Sequence, residues 1–265
     1  MRVLLLANNW VGWQVARWLK GRGDEVVGLV IHPPQGRKYG EEILGSLSLP
    51  PERIFDGSQL QRPEITQAIR ALGPDIGLSA LFGYILRPEF TGVFPKGIIN
   101  LHPSYLPYNR GVHPNVWTIV KGTPAGATLH YIDEGVDTGD IIAQRQVPVE
   151  PVDTGETLYR KLERLCVDLF QETWPLIQTG RAGRTPQPHP GTCHRARDLE
   201  RIDEIDMDRT YTGRELINIL RARTFPPHTG AFFRQSERKI WVRVQLLTED
   251  QLKEEERDSR TLDQG

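Results

Sequence analysis

Short uninterrupted apolar runs that alternate with amphipathic stretches constrain this chain more than any other feature. Residues 3–7, Glu25–Ile31, Ile76–Ala80 and residues 97–101 are each too short for a buried helix, and each is bounded by polar or turn-forming residues. Such runs suit strands buried on both faces. After the first run, Val11, Val15, Trp18 and Leu19 fall on one helical face, and Gly21 and Gly23 supply a stop. Ile54 and Phe55 offer a short third strand, after a polar loop over residues 32–40. Pro63 suits a helix start, with Ile65, Ile69 and Leu72 on one face. This alternation predicts an α/β fold, a doubly wound and mainly parallel sheet covered by helices. In such a sheet ligands bind beyond the strand carboxyl ends, here near Asn8, His32, Ala80 and Leu101.

Further along, residues 127–131 and Ile141–Val147 read as two more strands. A long helix is expected next, capped by Asp153 with Glu156 as its capping-box partner. Leu158, Leu162, Leu165, Leu169 and Phe170 form its buried stripe, and Pro175 is expected to kink or end it. From Gly180 the composition shifts, and residues 180–191 read as a linker. A short helix is predicted over residues 215–221 and a hairpin over 230–233 and 239–246. The expected organisation is a catalytic domain over residues 1–180, a small accessory unit over 181–247, and a charged, solvated or disordered tail over 248–265. Phe225, Phe232, Phe233 and Trp241 form an apolar cluster that could support a homodimer.

Charge narrows the partners. With 33 Lys and Arg against 34 Asp and Glu, nothing in the sequence marks a broad basic surface, so nucleic acid is not an obvious partner. No apolar run approaches the roughly 18 residues that suggest a membrane span. The first apolar run is too short for a secretion signal, and the two cysteines fit a reduced cytoplasm, so a cytoplasmic location is expected.

Three stretches could carry chemistry. Asn100 and His102 close the strand at residues 97–101. Side chains repeat every two residues in a strand, so an amide donor and a proton-transfer group would face one spot. A polar strand end with a surface histidine would look the same. Asp133, Glu134, Asp137 and Asp140 crowd a loop between two predicted strands; the spacing is not that of a calcium loop. That loop is either a solvated acidic turn or the source of a carboxylate that orients His102. Residues 82–86, Phe82-Gly83-Tyr84-Ile85-Leu86, are either a loop packed on the core or an apolar slot for a flat heterocycle. Cys193, His194 and His189 lack the second ligand pair of a zinc site, so no metal is expected. The turn at residues 8–12 lacks the glycines of a dinucleotide fingerprint, although its amides, Arg110 and the loop of Gly36, Arg37 and Lys38 could meet an anion.

Together the run at residues 81–86, Asn100-Leu101-His102-Pro103-Ser104, Leu106-Pro107, Arg110-Gly111, Pro114, Trp117, residues 126–130 and Asp137-Thr138-Gly139 resemble the folate-dependent formyltransferases. The resemblance covers roughly residues 1–180. It implies a Rossmann-like formyltransferase core, 10-formyltetrahydrofolate as co-substrate and no metal. It further implies a catalytic set of Asn100, His102 and Asp137. The folate would sit against Phe82, Tyr84, Ile85 and Leu86 and against Asp133, Gly135 and Val136. Within this family the continuation past the catalytic domain looks most like the members that modify nucleotide-linked amino sugars. Such an acceptor is expected to meet Asn9, Trp10 and Arg110. Methionyl-tRNA, glycinamide ribonucleotide and water, the last giving a folate hydrolase, are the alternative acceptors.

Overall fold

The computed structural model describes residues 1–188 and 191–262. Along the chain run β1 (Arg2–Ala7), α1 (Asn9–Arg22), β2 (Glu25–Ile31), α2 (Gly40–Leu47), β3 (Ile54–Asp56), α3 (Pro63–Ala71), β4 (Ile76–Ala80), α4 (Pro88–Thr91), β5 (Ile98–His102), β6 (Arg110–Gly111), α5 (Pro114–Lys121), β7 (Ala125–Tyr131) and β8 (Ile141–Val147). Then follow α6 (Gly155–Gln178), β9 (Cys193–His194), α7 (Glu200–Asp203), α8 (Gly213–Ala222), β10 (Phe232–Gln235), β11 (Arg238–Trp241) and α9 (Glu249–Leu262). Seven strands make one sheet in the order β3-β2-β1-β4-β5-β7-β8. The first five in that order are parallel, and β7 and β8 are antiparallel additions.

Two compact units divide the chain. One comprises residues 1–114, 124–147 and 161–194; the other comprises 115–123, 148–160 and 195–265. The first holds the large sheet. Along β1, Val3, Leu5 and Ala7 enter one apolar cluster, while Leu4 and Leu6 enter another. Each cluster has its own helices: α1, α2 and the later turns of α6 cover the first face, and α3 and α4 the second. Two-sided burial is why these strands read as continuous apolar runs rather than alternating ones.

Several details differ from the sequence reading. Residues 181–194 belong to the first unit, because β9 pairs with β6 and Thr185 bridges to Ile141. The expected linker is therefore built into the sheet-bearing unit. His189 lies outside the described residues. Helix α2 begins where a loop was expected to end; Ile43 and Leu47, four apart and buried, carry its apolar face. Helix α6 continues through Pro175, since Trp174 and Ile177 on either side are both buried. Glu249–Leu262, within the expected tail, is helical as well. Thr248 Oγ1 accepts from the Gln251 amide at 3.3 Å, and Gln251 Oε1 accepts from the Thr248 amide at 2.9 Å. This reciprocal cap, with a Glu249–Lys253 pair one turn on, explains a helix in so charged a segment.

In the second unit the expected cap of α6 is also replaced. Thr154 Oγ1 accepts from the Thr157 amide at 3.3 Å, and Thr157 Oγ1 accepts from the Thr154 amide at 2.9 Å. Asp153 instead accepts from the Glu150 amide and the Thr157 hydroxyl. The unit's own small core joins Ile205, Ile219 and Ala231. Beside it, β10 and β11 form the hairpin, shorter than predicted. Thr154→Ala should lower unfolding free energy by about 1 kcal/mol, the usual worth of an N-cap. Glu156→Gln should change it by far less, and chemical denaturation of the two variants checks the assignment.

Candidate active site

Strand pairing assembles the site. Asn100 on β5 lies opposite His130 on the antiparallel β7, and His102 lies opposite Thr128. Opposed residues project to the same side of a sheet, so four polar side chains share one face. The loop from Asp133 to Asp140 then folds back over that face. It is closed by the Tyr131 amide donating to the Asp140 carbonyl at 2.9 Å. Gly139 permits the closure, because a Cβ there would stand 1.9 Å from the Tyr131 carbonyl oxygen. Asp137 at the loop's tip adopts a left-handed φ of 53°, a strained conformation for a residue with a Cβ.

The loop brings the Asp137 carboxylate into the centre of the cluster. Oδ2 accepts from the Gly111 amide at 2.8 Å and lies 3.6 Å from His102 Nδ1. Oδ1 lies 3.5 Å from His130 Nε2 and accepts from Asn100 Nδ2 at 3.4 Å. His102 Nε2 faces the Asn109 carbonyl at 3.3 Å, and His130 Nδ1 faces the Tyr131 carbonyl at 2.8 Å. His130 Nε2 also lies 3.2 Å from Asn100 Nδ2.

Burial acts on both ionisable groups, with a different outcome for each. It pushes His102 below the ordinary histidine value, assisted by the neighbouring His130 and opposed by the Asp137 charge and the Asn109 carbonyl. A neutral imidazole can accept a proton, and once charged it would face acceptors at both ring nitrogens. For Asp137 burial acts upward. The His102 charge, the hydrogen bond and charge of His130, and the Gly111 amide outweigh it and hold the carboxyl well below the usual range. The site thus combines an ionised carboxylate, a buried proton acceptor and a neutral amide donor, as acyl transfer to an amine requires.

The structure brings together Asn100, His102 and Asp137. It adds His130, which the sequence reading left without a role. The available signal was register: antiparallel pairing of the two predicted strands sets His130 against Asn100. The other expected contacts divide. Tyr84 and Val136 are exposed, and Ile85 is 87% exposed; large apolar side chains left in water suit the face of a flat heterocycle. Leu86 is half-buried against the second core cluster. Phe82 is a correction: it is fully buried in that core, edge-on to His32, and offers no wall to a ligand. Asp133 and Gly135 shape the loop, Asp133 Oδ1 accepting from the Gly135 amide at 3.1 Å and the Thr138 hydroxyl at 2.6 Å.

The acceptor contacts need revision too. Asn9 Oδ1 caps the Val11 amide at 3.0 Å, and the amides of Asn9 and Gly12 are taken by the carbonyls of Lys38 and Asn8. The start of α1 is therefore largely satisfied internally. Trp10 packs against the first core cluster. Arg110 is buried, and its Nε and Nη2 both donate to Gln187 Oε1, at 3.2 and 2.8 Å, so it is an internal strut. Among the described residues no three His, Cys, Asp or Glu side chains gather around a metal-sized site, and no helix is long and apolar enough to cross a membrane.

Residues 34–173 match the family described as formyl transferase, and residues 198–249 match the N-formyltransferase dimerization C-terminal domain. A methionyl-tRNA formyltransferase of Symbiobacterium thermophilum is 35% identical over 236 residues, covering 85% of this chain and 70% of the relative. A 4-N formyltransferase from Francisella tularensis superposes with a TM-score of 0.80 at 26% identity, covering 93% of this chain and 98% of that one. A formyltransferase from Anoxybacillus kamchatkensis, solved with UDP-4,6-dideoxy-4-formamido-L-AltNAc and tetrahydrofolate, is 31% identical, with a TM-score of 0.55. It covers 76% of this chain and 89% of that one.

The charge balance around His102 can be measured directly. Its ring should titrate below the ordinary histidine midpoint of about 6.5. Asp137→Asn removes the main influence that favours the imidazolium, so the midpoint should fall further. Histidine-ring NMR of both proteins checks this; a rise on substitution would contradict the arrangement.

Proposed function

Because the chain belongs to the formyl transferase family, we propose that it moves a formyl group from 10-formyltetrahydrofolate onto the amine of a nucleotide-linked amino sugar. The folate-dependent N-formyl transfer is the family's chemistry. The exposed apolar residues Tyr84, Ile85 and Val136 are the side chains of this site that fit a pterin ring.

The acceptor reading rests on the C-terminal match. Residues 198–249 carry the N-formyltransferase dimerization domain, and the 4-N formyltransferase from Francisella tularensis is covered over 98% of its length. Charge supports it. Residues 195–265 contain 14 Lys and Arg against 15 Asp and Glu, whereas a surface that grips tRNA must neutralise phosphates. A homodimer formed through this second unit is the matching assembly. A tRNA acceptor is the second reading, favoured by the 35% identity to a methionyl-tRNA formyltransferase.

In the proposed mechanism the acceptor nitrogen attacks the formyl carbon. Asn100 donates an N–H to the oxygen that gains charge; its bond to Asp137, at 3.4 Å, is long and is given up at little cost. His102 takes the proton from the attacking nitrogen. The resulting imidazolium is held by Asp137 and by the Asn109 carbonyl. The same proton then passes to the folate nitrogen as its bond to carbon breaks, and the oxyanion returns to a carbonyl. His130 holds the Asn100 amide and the Asp137 carboxylate in register.

Asn100→Ala should lower turnover by about 100- to 1000-fold, the usual cost of one oxyanion donor. His102→Ala should be at least as damaging, and near-normal turnover in it would overturn this mechanism. For the acceptor, mass spectrometry of a panel of nucleotide-linked amino sugars, run beside charged initiator tRNA, is decisive. A formamido sugar is expected; product with the tRNA alone would establish the second reading.

A further inference from the structure

We infer that Gln187, oriented by Arg110, is a positioning residue that fixes the Asp137 carboxylate for the reaction. This rests on the reading of Asn100, His102 and Asp137 as the reacting groups.

Gln187 lies about 50 residues along the chain from Asp137, in the stretch that composition alone marked as a linker. Yet it is buried, 7% exposed. Its Nε2 donates to the carbonyl oxygen of Asp137 at 2.8 Å and to that of Gly139 at 2.7 Å. Both carbonyls belong to the loop whose tip is Asp137. One side chain therefore grips the backbone on both sides of the peptide that the loop must turn.

Arg110 decides which way the Gln187 amide points. A guanidinium has only donors, so the two N–H groups at 3.2 and 2.8 Å must meet the amide oxygen. The nitrogen is then forced toward the two carbonyls. A glutamine without this partner could turn its amide over and set oxygen against oxygen. Arg110 is itself held in place by β6, which pairs with β9 across Arg110 and Cys193. Gly111, the next residue on β6, supplies the amide that donates to Asp137 Oδ2. The carboxylate and the backbone of Asp137 are thus tied to adjacent residues of one short strand, directly at Gly111 and through Gln187 at Arg110.

The strain at Asp137 gives this anchoring a purpose. A left-handed φ of 53° persists in a residue with a Cβ only where the surroundings over-determine it. Without the Gln187 donors, the loop loses two hydrogen bonds that hold that conformation. The carboxylate then moves relative to His102 Nδ1, from which it already stands 3.6 Å.

The test is a pair of size-matched variants, Gln187→Glu and Gln187→Met, assayed with 10-formyltetrahydrofolate and a nucleotide-linked amino sugar. Gln187→Glu keeps an acceptor for Arg110 but removes the donor to the loop. Gln187→Met carries no charge and removes both contacts, so the pair separates loss of folding from loss of positioning. We expect kcat to fall on the order of 100-fold in both, as for a misplacement of about 1 Å, with the KM for each substrate unchanged. The His102 ring resonances should shift in the direction expected for Asp137→Asn, which a general loss of stability would not produce. Wild-type kcat in either folded variant, with Asp137→Asn crippled, would overturn the inference. Wild-type activity in Asp137→Asn and His102→Ala as well would remove the underlying assignment of the reacting groups.

Discussion

The site depends on one largely buried carboxylate, that of Asp137. A charge taken out of water is tolerated only if hydrogen bonds and opposite charge replace its solvent. Asp137 has these replacements: the Gly111 amide, the Asn100 amide and two imidazoles. Each neighbour is consequently constrained by the carboxylate as much as it serves it. Gly111 itself has a φ of 84° and sits so close to the His194 carbonyl that a Cβ would stand 2.3 Å away. The strained loop, the positive φ at Gly111 and the pairing of β6 with β9 all follow from the need to surround that charge.

The parallel core was legible because it obeys one rule. Strands buried on both faces must be apolar throughout, and β2 and β4 have the bounds that their composition predicts. Asn100 and His102 were legible for a similar reason, since alternation in a strand fixes a shared face. His130 was harder. Its role depends on which strand lies beside β5 and in which direction it runs, and neither follows from local periodicity. Arg110 and Gln187 mark the limit. A polar side chain reads as surface until something shows that its donors and acceptors are matched, and their partners lie 77 residues apart.

Caps and breakers misled for a different reason. Asp153 and Glu156 have the right spacing for a capping pair, but Thr154 and Thr157 have it too and lie one residue further on. Spacing alone cannot choose between two overlapping candidates. At Pro175 the intrinsic penalty is real, but it competes with burial of Trp174 and Ile177 on the first core cluster. In the tail, by contrast, strong helix formers and a reciprocal cap prevail although there is little to bury.

Almost the whole constellation is drawn from residues 100–139, but its last support comes from residue 187. During synthesis the chain emerges in order, so every strand of the large sheet leaves the ribosome before that support does. A nascent chain ending near residue 180 would have its scaffold and its reacting side chains, with the Asp137 loop still lacking the Gln187 bonds. Residue 187, which ties down the Asp137 loop, is thus among the last residues of the sheet-bearing unit to be synthesised.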